Sequence, residues 1–326
     1  MTGAFLTALF FAGNAVCARR AALHYGGTRG NFLRLALAVA LLGIWAHVAG
    51  QGTGGGAFAW FFLSGAVGFG LGGLTMFHAL PLIGSNRSML IVQCGSAVAA
   101  ALVEWLWLGS HLSAPQAGFA ALTLVGVVIG LTTVDTARRS HFPPHGTTRP
   151  PIVDLLPPSV WAERPAFVLG IVLAVVSACA QGGSAVISRK AFGALHADGF
   201  FMDGATSAYQ RAMGGLAVGA LALLVVLLWP GKEYNRSADF LSTPPVDLPP
   251  WIWVAMNTLL GPVLGVTCYQ WALRTNQAGV VLPIVATAPL LTVPIARAIE
   301  GSRPAPRYWF GAVLAVAGAA GLAVIK

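Results

Sequence analysis

Charge is what this 326-residue chain has least of. Only 9% of its residues are charged, with 10 acidic against 19 basic, while 56% are hydrophobic. A soluble protein of this length would need far more polar surface to cover two domains. The net charge of +9 would fit a nucleic-acid partner in a soluble chain. Here the basic residues are scattered at the ends of apolar runs, which excludes nucleic acid and fits topology signals and lipid headgroups. The four cysteines, Cys17, Cys94, Cys179 and Cys268, all fall within apolar runs without metal-ligand spacing. They read as small apolar fillers, so no metal and no disulfide are expected. There is no H-E-x-x-H, no paired Asp motif and no nucleotide-binding motif, so no cofactor and no ATP drive are expected.

What the chain has is apolar length. Stretches of about 20 apolar residues cross a hydrocarbon core of roughly 30 Å. Ten occur, at about 3–18, 32–49, 57–82, 88–108, 117–134, 166–187, 205–229, 251–273, 279–299 and 309–325. The first lacks a cationic n-region, and Arg19-Arg20 follow it, so it reads as an uncleaved helix. Residues 135–165 are rich in paired prolines and read as an extended linker. A shorter linker spans 231–250. Ten crossings put both termini on one side.

The second half repeats the first. Trp60, Gly68, Gly72, Ala79 and Leu80 return 193 positions later as Trp253, Gly261, Gly265, Ala272 and Leu273, and Gly118 returns as Gly311. Gly109-Ser110 returns as Gly301-Ser302, one residue off that register. Ala15-Val16-Cys17-Ala18-Arg19-Arg20-Ala21 returns as Ala185-Val186-Ile187-Ser188-Arg189-Lys190-Ala191. Each unit holds five spans, and an odd number of crossings inverts the second unit. That is the plan of secondary transporters, with the substrate near the midplane between the halves. The expected fold is all-α and integral to the membrane: ten transmembrane helices as two inverted five-helix repeats, 1–134 and 166–326. Gly pairs four apart (Gly68/Gly72, Gly261/Gly265, Gly126/Gly130) suit close helix packing.

Polar residues inside the spans are the functional candidates. Arg34 and Arg211 occupy matching places. Each either snorkels to the headgroups or faces the cavity between repeats, holding an anionic group or a carboxylate. Asn14, Gln93, Gln181, Tyr269 and Gln270 are the candidate solute contacts with Arg211. Asn14 and Ser184 are repeat equivalents. Glu104, between Val103 and Trp105, is either interfacial or a protonatable coupling site; His78 is the other coupling candidate. Glu300 and Arg297 read as interfacial. The competing class is an intramembrane hydrolase with Ser184 as nucleophile and His78 as base.

Several stretches carry a resemblance to a known family: Phe32-Leu33-Arg34, the Gly-rich third span ending Phe77-His78-Ala79-Leu80, Trp107-Leu108-Gly109-Ser110, Tyr209-Gln210-Arg211, Ala288-Pro289-Leu290 and Glu300-Gly301-Ser302-Arg303-Pro304. With them the chain resembles the EamA-type permeases of the drug/metabolite transporter superfamily over nearly its whole length. It departs in having Ser96 where the first repeat's fourth span usually carries Pro, and Gly-Ser where the family has Gly-Glu. The resemblance implies a carrier, not an enzyme. It would move a small solute by alternating access with proton or counter-solute coupling, as an exporter in a bacterial inner (plasma) membrane. Substrate and the choice of monomer or homodimer stay open. So does orientation: twelve Lys/Arg against four put the N-terminus outside, while the resemblance implies cytoplasmic termini.

Overall fold

The computed structural model describes residues 2–108, 114–131, 160–197, 199–229, 248–275, 281, 284–301 and 304–324. The expectations on Gly109-Ser110, on Ser302-Arg303 and on most of both linkers lie outside the described residues. Ten helices are described: α1 (Thr2–Tyr25), α2 (Gly27–Val48), α3 (Phe58–Ile83), α4 (Ser85–Trp107), α5 (Ala114–Leu131), α6 (Val160–Ala197), α7 (Gly204–Leu228), α8 (Pro250–Arg274), α9 (Ala288–Glu300) and α10 (Pro306–Val324). Among the described residues, α2, α3, α4, Pro165–Ala197 of α6, α7 and α8 are long and apolar enough to cross a membrane. A helix satisfies every backbone N–H and C=O within itself, which is why apolar chains span lipid this way. No strand occurs among the described residues. Two boundaries move: α1 runs on past Arg19-Arg20, and α6 begins at Val160, inside the stretch expected to be linker.

The turns are set locally. Gly26 (φ 80°) and Gly84 (φ 83°) take the left-handed backbone that lets α1 turn into α2 and α3 into α4 with one residue between. Asp203 caps α7, its carboxylate accepting from the backbone N–H of Ala205 and Thr206, both at 2.9 Å. Three helices loosen mid-span into π-helical turns: Ala66–Gly72 in α3, Leu90–Cys94 in α4 and Leu259–Val263 in α8. Such turns gather at functional sites.

Small residues decide which helices meet. A Cβ on Gly126 would meet Gly311 and Ala315, and one on Gly311 would meet Gly126 and Gly130, so α5 and α10 touch backbone to backbone. A Cβ on Gly65 would fall on the Arg211 carbonyl, locking α3 to α7. Elsewhere α1 packs on α8 and α9, α6 packs on α3 and α4, and α2 packs on both α7 and α8.

Candidate functional site

A partly enclosed cavity lies where α1, α3, α4, α6, α7 and α8 converge, closed on one side by Val285 and Ala286 just before α9. Its empty volume, open mouth included, is about 540 Å³. Phe11, Phe69 and Val266 form apolar walls, while Gln93, Ser96, Gln181, Ser184, Arg211 and Tyr269 supply polar atoms. Among the described residues, no Asp or Glu lines it. Phe69 sits in the π-helical turn of α3, and Gln93 in that of α4.

Among the described residues, Arg211 is the one cation in this lining. It is only 4% exposed. Its Nη2 donates to Ser184 Oγ at 2.8 Å, and the guanidinium carbon lies 5.0 Å from the Phe69 ring centre. Nε and Nη1 are buried with no acceptor among the described residues. Ser184 can sit this close because Gly68 opposite it has no side chain.

Of the sequence candidates, Gln93, Gln181, Arg211 and Tyr269 therefore come together around one space. Asn14 and Gln270 do not line it. Asn14 lies in the α1–α8 contact, where Asn257 Nδ2 donates to its backbone oxygen at 3.2 Å and to its side-chain oxygen. Gln270 is fully buried, and its amide has no partner among the described residues. His78 is tied elsewhere: its Nδ1 lies 2.8 Å from the Leu74 carbonyl and its Nε2 3.5 Å from Thr28 Oγ1. Ser184 faces Gly68, ten residues from His78 and so about 15 Å away along α3. A general base must lie within about 3 Å of the proton it takes, so the hydrolase pair is not assembled.

Arg34 and Arg211 do not snorkel; they are 6% and 4% exposed. Arg34 differs from its counterpart in its partner. Asn31 Oδ1 accepts from its Nε at 3.0 Å and its Nη2 at 2.8 Å, and the Phe77 ring lies 4.8 Å away.

Four kinds of contact recur between the halves; the first three keep the offsets of 170 and 193 visible in the sequence, while the two glutamates of the fourth lie 196 apart. Thr7 Oγ1 donates to the Gly265 carbonyl (3.3 Å), and Ser177 Oγ donates to the Gly72 carbonyl (2.7 Å). Asn257 donates to the Asn14 carbonyl, and Ser64 Oγ donates to the Ser184 carbonyl (2.8 Å). Arg20 lies over Trp253 at 5.8 Å, and Lys190 over Trp60 at 4.5 Å. Arg19 pairs with Glu300 (3.0 Å), and Arg189 pairs with Glu104. Both glutamates are ion-paired; the Glu300 side chain is 4% exposed at the end of α9 and accepts a further 2.6 Å bond from Ser85. The sequence signal for these pairs was the repeated Arg19-Arg20 and Arg189-Lys190; Ser64 and Ser188, which bond to each other at 2.8 Å, were missed.

The EamA-like transporter family matches residues 1–132 and 168–324. The chain belongs to the EamA-like transporter family. Membership makes this EamA-like protein a multi-pass integral membrane transporter of the drug/metabolite superfamily, with a small-molecule substrate. A solved chain described only as a crystal structure of a protein is similar over 97% of this chain and 95% of its own, with a TM-score of 0.54 and 20% identity. At that identity the likeness shows the fold alone. No curated protein matches this EamA-like chain.

Proposed function

We propose that the protein is a secondary transporter that exports a small solute from a bacterial cell across the inner membrane, by alternating access. Two inverted five-helix repeats, 1–134 and 166–326, joined by residues 135–165, carry the motion. Gln93, Gln181, Arg211 and Tyr269 hold the solute in the cavity between them. The observation that carries this reading is the matched pair of latches. In each, the first helix of one repeat reaches an acidic residue on the fourth helix of the other and a tryptophan on the third. The helix contacts support the exchange of repeats: α1 on α8 and α9 corresponds to α6 on α3 and α4.

The latches favour opposite ends of the bundle. Arg20 sits just before the Gly26 turn into α2, and Lys190 sits over Trp60 at the start of α3, which follows the far end of α2. At 1.5 Å per residue, the 22 residues of α2 make it about 33 Å long, and the two latches sit toward its opposite ends. A carrier that opens each end in turn must hold one end while releasing the other, and paired inter-repeat latches supply that.

Coupling falls to Glu104 rather than His78, whose ring is occupied away from the cavity. Protonation of Glu104 removes its attraction to Arg189 and loosens that end. The test is counterflow in proteoliposomes loaded with a solute panel, with and without a pH gradient. Exchange of at least one solute is expected, with gradient-driven efflux lost in Glu104→Gln. Absence of exchange across a broad panel would refute the carrier reading.

A further inference from the structure

The cavity around Arg211 holds a cation without a counter-charge. A guanidinium taken out of water pays a large desolvation cost unless it is paired and its donors are satisfied. Charged residues inside a membrane span are accordingly rare and face a partner or a water-filled path. Arg211 is 4% exposed, spends one nitrogen on Ser184 Oγ at 2.8 Å and leaves Nε and Nη1 without an acceptor among the described residues. Among the described residues, no carboxylate lines the space. The two glutamates nearest in the sequence pattern are already committed, Glu104 to Arg189 and Glu300 to Arg19. The matched Arg34 shows the alternative solution. There the side-chain oxygen of Asn31, one turn earlier, takes both Nε and Nη2. In α7 the residue three before Arg211 is Ala208, which has no acceptor to offer.

Around the unpaired guanidinium stand groups suited to an oxyanion. Ser184 Oγ accepts from Arg211, so its own hydroxyl proton remains available for donation. Tyr269 and Gln181 line the same space with a hydroxyl and an amide. Phe11, Phe69 and Val266 leave room for an apolar body.

We infer that the transported solute carries an oxyanion group, carboxylate or phosphate, that binds Arg211 and Ser184 with its apolar part against Phe11, Phe69 and Val266. This rests on the carrier reading for the cavity and adds the chemical class of its cargo. A charge-assisted hydrogen bond is stronger than a neutral one and shorter, so the anion would be selected over its amide.

The test is a series with one skeleton and different charge: butanoate, butanamide, butylamine and butyl phosphate. Each is titrated into the purified full chain at constant ionic strength, with the thermal unfolding midpoint as readout. Butanoate or butyl phosphate should raise the midpoint while butanamide and butylamine do not; the stronger of the two names the oxyanion. Arg211→Gln should weaken that response by about tenfold or more, as expected for loss of a charged hydrogen bond, and Arg211→Lys by less. Should Arg211→Gln fail to fold, the wild-type charge series decides alone. Equal response to butanamide or butylamine, no response to any member, or an unchanged butanoate response in Arg211→Gln would overturn the inference. Counterflow of the same series separates the two readings. Exchange of neutral solutes but not anions leaves a carrier without this site. Anion binding without exchange of any solute leaves the site and removes the carrier.

Discussion

The two latches are built to one plan and differ in depth. At the Arg19 end, the ion-paired side chains are 14% and 4% exposed, Ser85 adds a bond to Glu300, and Arg20 donates to the Ile299 carbonyl at 2.7 Å. At the Arg189 end, the paired side chains are 45% and 28% exposed, and Lys190 lies between the rings of Trp60 and Trp107. One end is sealed within protein and the other meets its surroundings. Repeats of similar sequence thus adopt different depths of closure in one molecule. In the alternating access proposed above, those depths would exchange, with each latch taking the other's place.

The largest effect should come from breaking the deeper latch. Glu300→Gln leaves Arg19, whose side chain is only 14% exposed, without its charge partner, and removing one member of a buried pair costs up to about 3–5 kcal/mol. The closed Arg19 end should lose its advantage. The expected readout is a cysteine placed at Asn14, in a chain whose four native cysteines are replaced. It should be inert to a membrane-impermeant thiol reagent while Glu300 is present and reactive once Glu300→Gln is introduced. Unchanged protection would mean that the pair is not a latch.

A second comparison concerns matched positions with unmatched residues. Gly65 and Thr258 are 193 apart, the offset of the other equivalent pairs. Each faces the backbone oxygen of the other repeat's arginine: Thr258 Oγ1 donates to the Arg34 carbonyl at 3.3 Å, while a Cβ at Gly65 would overlap the Arg211 carbonyl. Overpacking typically costs about 1–3 kcal/mol, and a backbone obstacle leaves little to relax. Gly65→Ala should lower the unfolding midpoint of the purified protein clearly, and Thr258→Ala, which loses its hydrogen bonds without placing a glycine in the helix, by less. Equal tolerance at both sites would show that α3 and α8 are not packed alike.

How much of this was legible in the sequence follows from what kind of information each feature needs. Repetition is one-dimensional, and the recurring Trp, Gly and Arg-Arg/Arg-Lys positions exposed it. The family and the helical class followed. Which helix meets which did not, because the contacts run crosswise, from the first helix of each repeat to the third and fourth of the other. Arg19-Arg20 were therefore counted as loop charge although α1 continues through them. Helix faces were equally hidden. In α8 nearly every residue is apolar or small, so Tyr269 and Gln270 looked alike; a rotation of 100° separates a cavity-lining residue from a buried one. Asn14 and Ser184 are expected repeat equivalents, yet Ser184 faces Arg211 and Asn14 faces Asn257.

Arg34 and Arg211 sharpen the same lesson. Both are buried, but Asn31 satisfies only the first. Arg34→Gln should leave the midpoint for solute exchange unchanged, while Arg211→Gln should raise it by about tenfold, near 1.4 kcal/mol. Concentration-dependent counterflow measures both. A similar shift in the two variants would place the arginines in one shared site and remove the asymmetry argued here.

The smallest effect is expected at the shallower latch. Glu104→Gln removes one member of an exposed pair, and such pairs contribute about 0–1 kcal/mol. Lys190 keeps its place over Trp60 at 4.5 Å and Trp107 at 4.8 Å, and an exposed cation over an aromatic ring is worth about 0.5–1 kcal/mol on its own. The end should therefore loosen without coming apart. A shift of about 1 kcal/mol is roughly a fivefold change in the ratio of open to closed. Global unfolding should hardly move, so stability is the wrong readout. Thiol labelling of a cysteine at Gln181, which lines the cavity, is the sensitive one, and it should speed up by up to about fivefold in the Glu104→Gln background. The same substitution should leave a cysteine at Asn14 as unreactive as before, because that position lies behind the other latch. If Glu104→Gln exposed Asn14 as readily as Gln181, the two ends would not be controlled separately, and a single concerted opening would replace alternation.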